Sequence, residues 1–140
     1  LNVEDLTGSI ECLAFPKVYN EYNEMLVADK LVAMSGKISH DNEEPKLRVE
    51  QIIPLEEASE KWGQSLCIQL NSIQVNDNLL SKLETVFKVH PGRRPVFVQI
   101  NYENGSTHTV KAGDFAVRTN SVLLQRIKEI VGEGNSHFAY

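Results

Sequence analysis

Apolar and polar residues alternate with period two from Gly8 to Phe15, with Ile10, Cys12/Leu13 and Phe15 forming one side of a strand. The residues before the Thr7-Gly8 turn already alternate in the same way, so the chain opens on a hairpin. Pro16 suits a first helical turn, where its missing N–H would be unpaired in any case. The stretch "PKVYNEYNEML" then places Val18, Tyr22, Met25 and Leu26 on one helical face, ending at Asp29 and Lys30. Period two returns in "KLVAMSGKIS" and, after the polar turn "HDNEEP", in "KLRVEQIIPL", where Leu47, Val49 and Ile52 point inward. The predicted order is strand, strand, helix, strand, strand. It matches the later part of an OB-fold, a five-stranded Greek-key barrel, with the first strand and most of the second missing.

The segment "EEASEKWGQS" reads as a connector whose one large apolar residue, Trp62, is expected to anchor one module on the other. Beyond it "LCIQLNSI" is strand-like, and "NDNLLSKLETVFKVHPG" predicts a helix capped by Asn76 or Asp77 and stopped by Pro91-Gly92. A hairpin follows, with Val96, Val98, Ile100 and Tyr102 alternating up to Asn104-Gly105, a dipeptide that suits a two-residue turn with positive φ. "FAVR" suggests a further short strand. A helix from "TNSVLLQRIKEIVGEGN" presents Leu123, Leu124, Ile127, Ile130 and Val131, and "SHFAY" closes as an edge strand. The expected fold class is therefore β plus α+β. Residues 1–58 form a truncated OB barrel (strands two to five with their helix), 59–65 a linker, and 66–140 a small sandwich of mixed, mostly antiparallel sheet with two helices.

Charge divides along the same line. The net charge of −5 resolves into 6 Lys/Arg against 13 Asp/Glu in residues 1–65 and 8 against 6 in residues 66–140. The two parts meet different surroundings. Cys12 and Cys67, each in an apolar strand-like run without a CxxC pair, read as buried thiols of a reducing compartment. No apolar run approaches the roughly 18 residues of a membrane span and no signal-like leader is evident, so a cytoplasmic location is expected.

Candidate chemistry is sparse. His40, His90, His108 and His137 are scattered without ligand spacing, Glu56-Glu57 lies in a solvated charged stretch, and "GEG" follows a helix rather than preceding one. No catalytic residue, metal site or cofactor is expected. For nucleic acid, the candidates are Phe15 for stacking and Lys17, Lys37, Lys46 and Arg48 for phosphates. Tyr19 reads as helix packing, and three acids between His40 and Glu44 oppose a phosphate backbone. In the second module Lys88, Arg93, Arg94 and Lys111 form a basic cluster suited either to a solvated loop or to docking a protein partner.

Three stretches carry a resemblance: "LNVEDLTGSIECLAFPKVYNEY", "KLVAMSGKIS" and "EEPKLRVEQIIPLEEA" resemble the OB domain of the bacterial DNA polymerase III alpha subunit. "LCIQL", "HPGRRPVFVQI" and "SVLLQRIKEIVGEGN" are similar, in that order, to its C-terminal tail. The resemblance implies weak contact with single-stranded template DNA through the OB part and docking of the clamp-loader tau subunit through the tail, alongside the rest of the alpha chain. In that family three upstream aspartates carry out DNA-directed nucleotidyl transfer, so a piece without them implies no catalysis of its own. The competing expectation is a stand-alone OB-fold accessory module.

Overall fold

The computed structural model describes residues 1–40 and 44–140, which fall into two compact units, Leu1–Ala58 and Ser59–Tyr140. In the first, β1 (Asn2–Glu4) and β2 (Ser9–Leu13) form the opening hairpin. Asp5 closes its turn by accepting bonds from the Thr7 hydroxyl and amide and from the Gly8 amide. Helix α1 spans Pro16–Tyr22, shorter than the apolar spacing predicts. Met25 and Leu26 follow in tighter turns, bonding back to Tyr22 and Asn23, and still turn inward with Val18 and Tyr22. Asp29, at φ 63°, makes the reversal into β3 (Val32–Ser39), which pairs antiparallel with β4 (Lys46–Pro54).

The sheet order is β1-β2-β4-β3, with β2 and β4 parallel. No closed barrel forms among the described residues. The free edges are β1 and β3, the two positions that a fifth strand joins in a closed Greek-key barrel of this order. The core is small: Cys12, Val49 and Ile52 are buried, ringed by partly buried side chains from every element so far named. Val49 and Ile52 face the same way three residues apart because the ladder shifts between Ser35 and Gly36, a bulge that absorbs one residue of β4. Gly36 is required there, since a Cβ would lie 2.0 Å from the Arg48 carbonyl oxygen.

The stretch expected to be a linker is mostly helical. Helix α2 covers Leu55–Trp62, with Glu56 and Glu57 in its first turn and Lys61 in its last, each suited to the helix dipole.

In the second unit β5 (Ser65–Asn71), a 3-10 turn (Ser72–Gln74) and α3 (Asp77–Val89) lead into β6 (Pro91–Asn101). Strand β6 lies parallel to β5. Asn76 caps α3 by accepting from the Leu79 amide, and Pro91 starts the next strand instead of a loop. Strand β7 (Thr107–Val117) returns antiparallel, α4 (Ser121–Val131) crosses back under an Asn120 cap, and β8 (Ser136–Ala139) pairs with the other side of β5. The order is β7-β6-β5-β8.

The hairpin turn is not the two-residue kind. Gly105 alone has positive φ (82°), its N–H bonds back to Tyr102, and the Asn104 carboxamide accepts from Ser106, giving a four-residue turn that ends on glycine. "FAVR" is no separate strand: its first three residues are the far end of β7 and Arg118 follows the strand. The register jumps from Phe97–Lys111 to Pro95–Ala116, which leaves 112–115 as an excursion of β7. Both helices cover one sheet face, where Leu66, Ile68, Leu70, Val96, Val117 and Phe138 meet Leu83 and Phe87 of α3 and Leu123, Ile127 and Val131 of α4. Cys67 points to the opposite face and is only partly buried, because alternation along β5 separates it from the core run.

Candidate nucleic-acid interface

Strand alternation sends Cys12, Leu47 and Val49 into the first unit's core and leaves Glu11, Leu13, Lys46 and Arg48 on the outer face of its sheet. The register sets these residues in rows: Leu13, Arg48 and Lys37 are cross-strand neighbours, and Glu11, Lys46 and Ser39 form the next row. The charges on this face are largely matched. Lys46 Nζ lies 2.6 Å from a Glu11 carboxylate oxygen and Lys37 Nζ 3.4 Å from Glu50. The hydrogen bond from Lys46 holds the Glu11 carboxyl below its ordinary value. Such exposed pairs are weak, so a phosphate can compete for either lysine.

Arg48 differs. Among the described residues it has no carboxylate partner, and its guanidinium sits 5.1 Å from the centroid of the Phe15 ring. Phe15 is held at the junction of β2 and α1, where the Tyr19 amide donates to its carbonyl at 2.8 Å, yet its side chain stays 51% exposed and that of Tyr19 53%. Both line an open cleft of about 430 Å³ with Leu1, Cys12, Leu13 and Ala14. Two exposed aromatic rings one helical turn apart, with a cation over one of them, can hold a flat apolar ring and an anion together. Burial pushes the Cys12 thiol pKa up, so that side chain contributes surface and no nucleophile.

The structure thus brings Phe15 and Arg48 together and sets Lys37 beside Arg48. Lys46 is one row away, and Lys17 is exposed on the first turn of α1. Tyr19, read from the sequence mainly as helix packing, is exposed and lines the same cleft as Phe15, at i, i+4 spacing from it. Of the opposing acids, Asp41 and Glu43 lie outside the described residues, and Glu44 is exposed.

The second unit's basic residues are more dispersed. Lys88 ends α3 in an ion pair with Glu84 at 2.6 Å, Arg93 and Arg94 open β6, and Lys111 stands in β7 opposite Phe97. A hollow of about 230 Å³ between the entry to α3 and the end of α4 is lined by Gln74, Asn76, Asn78 and Lys82. Gln74 and Asn76 already use their side chains to tie the local backbone. Among the described residues no group of three or more His, Cys, Asp or Glu side chains could hold a metal ion, and no helix is long and apolar enough to cross a membrane.

Residues 1–55 match the family model described as an OB-fold nucleic acid binding domain. Over nearly its whole length the chain is similar to one protein from several bacteria, the DNA polymerase III subunit alpha. Identity is 26% over 138 residues with that of Saccharopolyspora erythraea (96% of this chain, 12% of the relative). It is 24% over 133 residues with that of Escherichia coli (93% and 12%). With that of Mycobacterium tuberculosis it is 27% over 134 residues (94% and 11%). The chain is homologous to the C-terminal segment of these subunits and spans about one eighth of their length.

Proposed function

We propose that this chain is a non-catalytic region of a replicative DNA polymerase III alpha subunit, acting in bacterial chromosomal replication in the cytoplasm. Its first unit touches single-stranded template DNA, and its second docks the tau subunit of the clamp loader. The observation that carries the first half is the Arg48–Phe15 pair beside Tyr19, on the outer side of a unit whose residues match an OB-fold nucleic acid binding domain. A base stacks on the exposed rings, its phosphates exchange with the carboxylates on Lys37 and Lys46, and Lys17 extends the cationic track. With two of the three cations on that face already paired, binding is weak and falls steeply with salt. For the second half, the support is the near full-length homology together with the exposed Arg93 and Lys111, which lack carboxylate partners among the described residues.

The test is a titration with a fluorescent oligothymidylate at low and high salt, run beside a titration with a tau C-terminal domain. The expected outcome is micromolar, salt-sensitive DNA binding and a separate binding of the tau domain that does not need DNA. Nanomolar DNA affinity at physiological salt with no response to tau would instead favour a stand-alone OB accessory module.

A further inference from the structure

The edges of the two sheets are guarded unequally. Strands β1 and β8 are only three and four residues long, and β3 carries Lys37 and faces the bulge of β4. Short, bulged or charged edges resist pairing with another chain. Strand β7 is longer and regular at its hairpin end, and its one charge there is Lys111, at the far end of the stretch. From Thr107 to Lys111 it runs in unbroken register with Asn101 to Phe97, without proline or bulge, and all five residues are exposed.

The phase of the ladder shows which groups are free. The Tyr102 N–H donates to the Ser106 carbonyl, so the inward bonds alternate from there onto the Ile100–His108 and Val98–Val110 pairs. The N–H and C=O groups of Thr107, Thr109 and Lys111 therefore point away from β6. A two-fold axis through Thr109 sets Thr109 against its own copy and Thr107 against Lys111 of the copy, and each of these pairs has outward-pointing groups on both sides. The symmetric arrangement is in phase. It puts threonine against threonine at the centre, keeps the two Lys111 ammonium groups well apart, and places Gly105 opposite Gly113, where neither carries a side chain and the space beside each is open.

We infer that the β7 edge from Thr107 to Lys111 pairs antiparallel with the same edge of a second copy of this chain, joining two four-stranded sheets into one of eight strands. The inference stands apart from the nucleic-acid reading. Light scattering on the 140-residue chain, from about 10 µM to about 1 mM, tests it. The mass is expected to rise with concentration from 15.8 kDa toward twice that value. Thr109→Pro deletes an outward N–H without touching the β6–β7 ladder, and Thr109→Lys sets like charges face to face; either should hold the chain at 15.8 kDa with an unchanged circular dichroism spectrum. Thr107→Glu, which faces Lys111 of the copy, should shift association to several-fold lower concentration. A single 15.8 kDa species at every concentration, with the edge free for another protein's strand or for none, overturns the inference. So does a mass increase that survives both Thr109 variants.

Discussion

Both units build a mixed four-stranded sheet with one parallel pair, yet they differ in what covers it. The first sheet is backed by one seven-residue helix with no fully buried residue, and among the described residues its core cluster holds three buried side chains. The second is backed by helices of thirteen and eleven residues, which contribute five of the eleven buried side chains in its core cluster. Burial sets stability at roughly 25 cal/mol per Å² of apolar surface. The lesson is a division of labour: the second unit holds itself together, while the first keeps its aromatic rings and its cations near the surface, where a ligand can use them.

Core truncation breaks the comparison most sharply. Ile52→Ala and Ile127→Ala should each cost about 2–5 kcal/mol, but only the first removes one member of a three-residue core cluster. Hydrogen exchange read by mass spectrometry should show β2 and β4 of the Ile52 variant opening almost fully, while the Ile127 variant keeps partial protection in β5 and β6. Gly36→Ala comes next, at about 1–3 kcal/mol, because its methyl group meets the Arg48 carbonyl. A urea melt should register that loss in the first unit alone.

Phe15→Ala and Arg48→Ala leave the melts nearly unchanged. Each should weaken oligonucleotide binding, the phenylalanine by about 1–3 kcal/mol, roughly five-fold to a hundred-fold in Kd. Acid gives the smallest effect. Hydrogen bonds from Thr7 to Asp5 and from Lys46 to Glu11 lower those carboxyls from ordinary values of 3.8 and 4.5. Their contribution is present above the ordinary values and is lost as the pH falls through the lowered folded ones. The first unit's urea midpoint should slip on going from about pH 5 to about pH 3, and Glu11→Gln should flatten part of that slope.

Much of this was legible because local chemistry decided it. The cap at Asn76, one of the two candidates, the inward stripe of α4 and the alternation of β6 are each fixed within a few residues. What escaped depends on partners distant in sequence or on one backbone angle. The bulge at Gly36 exists only against β4, and the parallel pairing of β5 with β6 follows from α3 crossing between them. Asn104 favours a two-residue turn on composition, but its side chain caps Ser106 and leaves only Gly105 to take positive φ. In the candidate site the residue types were readable and the Arg48–Phe15 contact was not, since it needs β4 laid beside β2.

The most direct test is a nuclear magnetic resonance titration of the isotope-labelled chain with oligothymidylate. The account predicts that shifts gather on Phe15, Lys17, Tyr19, Lys37 and Arg48, and fade as salt is raised. Shifts confined to the second unit, or spread evenly over both, would contradict it.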